Sequence, residues 1–317
     1  MSVLSEPAEL RAGTVLVTGA GGFIGRQVCV ELAQQGFTVL RLGHGLSSTG
    51  HATQDVLDAD ISVAALVELA RDRDLLAVIH CAGTGSVALS YDAPLSDFQR
   101  TVASTASILE FVRLELRGHT RVVLASSAAV YGDQGDDDLV ESAPRSPISP
   151  YGFNKVAAES LCDSYSRFFA VRASVVRLFS VYGEGLRKQL FWDAMNKTSR
   201  GEGEFFGTGR ELRDWIHVSD AARLLCLAAT AADQAPFEIY NGAHAKASTR
   251  SVLEALLTLA SPTAVVPRFN GQTHAGNPRR LTGDCARAHG RLGWRPKVEL
   301  AEGLARYASW FAAQAKR

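Results

Sequence analysis

Three side chains in this sequence could between them move a proton at a hydroxyl or a ketone: Ser127, Tyr151 and Lys155. Tyr151 and Lys155 are one helical turn apart, so a helix beginning just after Pro150 projects both from one face. Proline suits that first helical position. A tyrosine titrates near ~10 in water and is a poor proton acceptor at neutral pH unless a nearby positive charge stabilises its phenolate. Lys155 supplies such a charge. Ser127, at the end of a preceding strand-like run, can hydrogen-bond the same oxygen that Tyr151 protonates or deprotonates, fixing the reacting group. A tyrosine and a lysine at this spacing also occur on any exposed helix, and a second constellation decides between the two. The run from Thr14 to Thr18 leads into Gly19-x-x-Gly22-x-x-Gly25 and then a helical pattern. That arrangement cradles a pyrophosphate: the first glycine allows a sharp turn, the second close approach of backbone, the third close helix–strand packing, with the helix N-terminus facing the anion. A dinucleotide cradle followed by Ser127, Tyr151 and Lys155 points to hydride transfer, in which a nicotinamide adds its own positive charge beside the phenolate.

Such residues need a scaffold that brings distant segments together. Apolar, β-branched runs recur at 14–18, 38–42, 77–80, 121–125 and 174–177, and segments of helical periodicity lie between them at 25–35, 63–71, 97–116 and 154–169. Alternation of this kind predicts an α/β fold, a doubly wound parallel sheet of Rossmann type with helices on both faces. Ligands on such sheets bind beyond the carboxyl ends of the strands. Gly19, Cys81-Ala82-Gly83, Ser126-Ser127 and Phe179-Ser180 all fall there, so four strand ends converge on one crevice. After Val181 the alternation weakens and the chain turns rich in Gly, Arg and aromatics, then resumes with a helix near 218–230 and a strand near 237–240. Residues 1–180 are therefore expected to form the dinucleotide-binding domain with the catalytic residues. Residues 181–317 are expected to form a smaller substrate lobe, interleaved with a return to the sheet.

Lys plus Arg equals Asp plus Glu at 33 each, so no global field draws the protein to nucleic acid or an anionic membrane, and any anionic ligand must be held by local arginines. The five cysteines are scattered and never spaced Cys-x-x-Cys, which argues against a disulfide framework and a zinc site. His44, His51 and His274 have no metal-ligand partners at usable spacing, and His217 lies in a strand-like run and reads as structural. Asp136-Asp137-Asp138 reads as a solvated loop. The first residues lack the apolar core of a targeting leader, and no run is long enough to span a bilayer, so a cytoplasmic protein is expected.

The chain resembles an extended short-chain dehydrogenase/reductase of the NAD-dependent epimerase/dehydratase family acting on nucleotide sugars. The resemblance rests on Thr18-Gly19-Ala20-Gly21-Gly22-Phe23-Ile24-Gly25, His80-Cys81-Ala82-Gly83, Ser126-Ser127-Ala128-Ala129-Val130-Tyr131-Gly132, Tyr151-Gly152-Phe153-Asn154-Lys155, Arg213-Asp214-Trp215-Ile216-His217-Val218 and Leu292-Gly293-Trp294-Arg295-Pro296. It implies that Ser127, Tyr151 and Lys155 are the catalytic trio. It further implies that Gly19, Gly22, Phe23, Ile24, Gly25, Gly43, Cys81, Ala82 and Gly83 line the NAD site with Tyr151 and Lys155, and that Asp55-Val56 hold the adenine. Arg213 would clamp the substrate diphosphate, as a planar guanidinium fork can, although an arginine beside Asp214 could also form a surface ion pair. Gln189 and Leu190 would line the sugar-nucleotide cleft, with Thr84, Ser127, Ser180 and Arg280 as further substrate contacts; Arg187, Lys188 and Arg279 are weaker candidates for the same anion. The helices at 97–116 and 154–169 resemble those that pair across a homodimer.

Five positions depart from the family pattern. Gly43 stands where an acidic residue would bind the adenosine ribose, which leaves room for NADP, with Arg41 or His44 near a 2′-phosphate. Ser180 and Thr101 each replace an expected asparagine. Ala128-Ala129 replaces the Asp-Glu pair that a sugar 4,6-dehydratase needs for its extra acid and base, so dehydration is disfavoured. The expected activity is nucleotide-sugar C4 epimerisation. The alternatives are NADPH-dependent reduction of a nucleotide 4-ketosugar, reduction of a non-nucleotide carbonyl, and a non-catalytic dinucleotide sensor; surface-polysaccharide precursors are the natural products to expect.

Overall fold

The apolar runs become strands whose side chains are buried on both faces, as in Val15, Leu16 and Val17, because helices cover each side. A computed structural model describes residues 13–46, 56–116, 118–260 and 265–314. One parallel sheet contains β1 (Thr14–Thr18), β2 (Thr38–Leu42), β3 (Val56–Leu57), β4 (Leu75–His80), β5 (Arg121–Ser127), β6 (Arg172–Leu178) and β10 (Phe237–Gly242). Their order is β10-β6-β5-β4-β1-β2-β3, so the direction of winding reverses between β1 and β4. A second sheet holds β7 (Ser180–Tyr182), β9 (Leu212–His217), β11 (Ala245–Ser248) and β13 (Arg280–Leu281), and β8 (Glu204–Phe205) pairs with β12 (Arg268–Phe269).

The helices are α1 (Phe23–Gln34), α2 (Val63–Ala70), α3 (Val87–Asp92), α4 (Pro94–Phe98), α5 (Ser104–Glu115), α6 (Pro150–Phe169), α7 (Gln189–Ser199), α8 (Val218–Thr230), α9 (Thr249–Ala260), α10 (Ala286–Leu292) and α11 (Leu300–Gln314). Val28 and Leu32 of α1 and Leu224 and Leu225 of α8 pack on one face of the large sheet. Leu66 of α2, Ile108 and Leu109 of α5, and Ala158 and Cys162 of α6 pack on the other. A third apolar cluster, built on Tyr182, Phe191, Trp215, Leu256 and Tyr307, lies in the second lobe. That lobe is discontinuous, since α8 and β10 leave it for the large sheet before β11 resumes it.

One predicted helix differs. The span 97–116 is not a single α-helix: α4 ends at Phe98 and Gln99–Ala103 form a π-helical turn before α5. Two hydroxyls near this turn bond back to carbonyls four residues earlier, Ser104 Oγ to Arg100 O at 2.7 Å and Thr105 Oγ1 to Thr101 O at 2.6 Å, a competition that bends helices.

Candidate active site

Two features of α6 fix the reacting side chains. Ser149 caps its N-terminus by accepting from Gly152 N at 3.1 Å, and Pro150 opens its first turn, so Tyr151 and Lys155 share one face from the outset. Ser127 closes β5, with its Oγ accepting from Ala129 N at 3.2 Å. Tyr151 and Ser127 line the same cleft wall, and the Lys155 ammonium lies 5.8 Å from the Tyr151 ring centre. Lys155 donates to Ala125 O at 2.9 Å, which anchors α6 to the neighbouring strand.

The electrostatics of the pair differ from the simple expectation. Burial pushes the Tyr151 phenol up, the polar Ser127 side chain opposes the rise, and the charge of Asp97 adds to it. Burial pulls Lys155 down to about 8, against the pull of Asp97. Lys155 therefore stays an ammonium near neutral pH, but its presence alone does not lower the phenol.

The turn after β1 is tight. Gly19 sits at φ +66°, and a Cβ there would lie 2.5 Å from Ala82 N; a Cβ on Gly25 would lie 2.2 Å from Gly19 O. No side chain caps the N-terminus of α1 and its first turn carries no acidic residue, so its amide groups face the crevice with a favourable dipole. This cradle fits a dinucleotide pyrophosphate.

One cleft of about 660 Å³ is lined by Gly22, Phe23, Ile24 and Gly25 at the cradle, by Cys81, Ala82, Gly83 and Thr84 after β4, and by Ser127, Tyr151 and Lys155. Ser180, Gln189, Leu190 and Arg213 line its other wall. Gln189 takes a left-handed φ of +64°, and its side-chain amide donates to Gly85 O, joining the two lobes across the cleft. Lys188 lies beside it, its Nζ 3.2 Å from where a Cβ of Gly85 would stand, and burial lowers it.

Other predicted site residues lie elsewhere. Arg280 is turned away from the cleft: it donates to Asp138 Oδ1 at 2.9 Å and Thr282 Oγ1 at 3.0 Å. Asp138 correspondingly is no solvated loop residue, since Lys246 and Thr282 also donate to it. Gly43 sits under the cradle, where a Cβ would lie 3.4 Å from Gly19 N, and does not line the cleft. Val56 pairs with Arg41 at the sheet edge, and Asp55 and His51 lie outside the described residues. His44 places Nδ1 3.0 Å from Asp58 and Nε2 2.9 Å from Asp60. His217 is buried, caps α8 and holds Glu184 at 2.8 Å.

Sequence reasoning missed Asp97. It is 1% exposed and accepts from three side chains: Thr84, Thr101 at 3.3 Å and Asn154 at 2.8 Å. In the sequence it is one acidic residue in a mixed helical pattern, which looks solvent-facing. Among the described residues no group of His, Cys, Asp and Glu could hold a metal ion.

Comparison with known proteins agrees with this geometry. A UDP-glucose 4-epimerase of Azospirillum brasilense is 30% identical over 322 residues, covering 93% of this chain and 91% of its own. A putative UDP-glucose 4-epimerase of Methanocaldococcus jannaschii is 29% identical, covering 93% and 97%. A dTDP-glucose 4,6-dehydratase of Xanthomonas campestris is 27% identical over 94% of this chain and 93% of its own. Among solved structures, MoeE5 in complex with UDP-glucuronic acid and NAD superposes with a TM-score of 0.85 at 30% identity, over 95% of this chain and 100% of that one. The profile of the NAD dependent epimerase/dehydratase family matches residues 15–243, and the chain belongs to that family.

Proposed function

We propose that the protein is an NAD-dependent nucleotide-sugar C4 epimerase. The observation that carries this is that Ser127, Tyr151 and Lys155 line the same cleft as the α1 cradle and Arg213, with the Lys155 ammonium 5.8 Å from the Tyr151 ring centre. When bound, NAD supplies reversible hydride acceptance at C4 of the hexose. Ser127 holds the 4-oxygen and Tyr151 removes its proton, then returns it after the ketone has turned its other face. The phenol, raised by burial, becomes a base only when a further positive charge enters beside it, as an oxidised nicotinamide provides. Lys155 and the Ala125 carbonyl keep α6 in register during both half-reactions. Arg213 donates to Leu212 O, Asn277 Oδ1 and Pro278 O and to no carboxylate, which leaves its Nε and one Nη1 hydrogen for the diphosphate of the substrate.

Two features favour this over neighbouring activities. Ala129 lines the cleft and Ala128 is buried, so neither position offers the acid or base that dehydration requires. Both ring nitrogens of His44 are taken by Asp58 and Asp60, and two carboxylates near the end of β2 disfavour a 2′-phosphate, which supports NAD over NADP. The exposed Leu95 and Phe98 on α4 and the exposed Phe153, Phe168 and Phe169 on α6 support a homodimer. Among the described residues no helix is long and apolar enough to cross a membrane, and the five free cysteines support a cytoplasmic setting.

Mass spectrometry of nucleotide released on denaturation tests the assignment. Stoichiometric NAD is expected, because an epimerase regenerates it in each cycle. An empty site that binds NADPH on titration would replace the epimerase with a 4-ketosugar reductase.

A further inference from the structure

Asp97 is a carboxylate with no place in the mechanism so far, although it lies at its centre. It sits at the junction of α4 with the π-helical turn, an irregularity common at functional sites. Three donors converge on it from three segments: Thr84 from the loop after β4, Thr101 from the π turn, and Asn154 from α6 between Tyr151 and Lys155. The lone pairs of one buried carboxylate meet all three donors. An ionised carboxylate only accepts, so the Thr84 hydroxyl spends its proton on Asp97 and offers the cleft only lone pairs. Thr84 lines the same cleft as Ser127, Tyr151 and Lys155, so its oxygen can receive a hydrogen bond from a substrate hydroxyl or a carboxamide.

We propose that Asp97 is a positioning residue of the proton-transfer pair: a buried carboxylate that fixes Thr84 as an acceptor in the cleft wall and clamps the helix carrying Tyr151 and Lys155. The role of the pair rests on the epimerase assignment, while the clamp itself is a property of this chain. Its charge reaches both members, adding to the rise of the Tyr151 phenol caused by burial and countering the burial that draws Lys155 down. The other groups that face the pair are few. Glu159 of α6 and Cys81 after β4 act on Lys155 in the same sense as Asp97. His80 of β4 is drawn down to about 3 by burial and by Lys155, and so stays neutral. Ser127 of β5 lowers Tyr151. The same geometry explains how Thr101 can stand where asparagine is expected, since the amide in this network comes from Asn154 instead.

The test is an ultraviolet titration of the Tyr151 phenolate in the full-length protein with saturating NAD, each variant read against the same variant carrying Tyr151→Phe. Asp97→Asn keeps the shape and removes the charge, and should move the Tyr151 titration to lower pH. Asp97→Asn combined with Asn154→Asp returns a carboxylate from the other side of the same hydrogen bond and should move it back. A titration unmoved by Asp97→Asn, or unmoved again by the second change, overturns the proposal. If Asp97→Asn does not fold, Asn154→Asp alone sets a second carboxylate against the first and should raise the titration; no movement overturns the proposal equally. A wild-type protein that interconverts no nucleotide sugar would remove the epimerase assignment, yet this titration would still report on Asp97.

Discussion

Arg213 and Asp214 are neighbours in β9 but are not paired with each other. Arg213 donates to Leu212 O at 2.8 Å and Pro278 O at 2.7 Å and lines the cleft. Asp214 is 1% exposed and accepts from His244 N at 2.7 Å and Gly283 N at 3.2 Å on the opposite side. Strand alternation separates them; Arg213 also donates to Asn277 Oδ1 at 2.5 Å, so Nε and one Nη1 hydrogen remain for a ligand. Arg213→Lys keeps the charge and loses the fork. It should raise KM for the nucleotide sugar about 10- to 100-fold, roughly 1.4–3 kcal/mol, and weaken competition by free nucleoside diphosphate. Retained NAD should be unchanged, and an unaltered KM would remove Arg213 from the substrate site.

Tyr151→Phe deletes one oxygen from the cleft wall that it shares with Ser127. Turnover should fall by roughly 10²- to 10⁴-fold or more while the melting temperature stays within a few degrees. Steady-state kinetics beside thermal denaturation make the check. A variant with full activity would sink the assigned mechanism.

His80 links stability to pH. It is buried between Thr18 Oγ1 at 2.7 Å and Ser104 Oγ at 3.2 Å, and burial with the charge of Lys155 depresses it from 6.5 to about 3. The unfolded chain takes up this proton first as pH falls, so the contribution is present above pH 6.5 and is lost between 6.5 and about 3. The slope is about 1.4 kcal/mol per pH unit across that window. Denaturant unfolding of wild type and His80→Gln from pH 4 to 7 should give curves that converge toward acid, and parallel curves would contradict this account.

Arg177 of β6 is the largest buried cation. It meets Glu159 of α6 at 2.8 Å, the Tyr131 hydroxyl at 3.0 Å and Glu141 O at 2.9 Å. Arg177→Leu leaves Glu159 charged and without its main partner in a dry interior, which should cost about 3–5 kcal/mol. Removing both with Glu159→Gln should recover part of the loss. Urea midpoints of the single and double variants measure it.

Much of this architecture was legible in the residues. Thr14–Thr18 and its glycines, and Tyr151 and Lys155 behind Pro150, depend on short-range geometry that spacing alone dictates. The π turn was not legible, because its cause is where the Ser104 and Thr105 hydroxyls point, and hydrophobic periodicity does not register that. Asp97 was hidden for a related reason: a carboxylate is drawn inward only when Thr84, Thr101 and Asn154 meet it, and those lie up to 57 residues away in sequence. Arg280 and Asp138, 142 residues apart, could each be read only as facing water or ligand until the fold joined them.

The late return of α8 and β10 to the large sheet sets an order on synthesis. When residue 180 has emerged from a ribosome, Ile79, Val123 and Val176 still await the α8 side chains that cover them, and β6 has an unpaired edge until β10 arrives. A nascent chain paused there would display both a bare apolar face and a row of free backbone groups, the combination that invites misassociation. The cradle and Ser127, Tyr151 and Lys155 are thus encoded early, yet they rest on a platform that closes only after about three-quarters of the chain has been made.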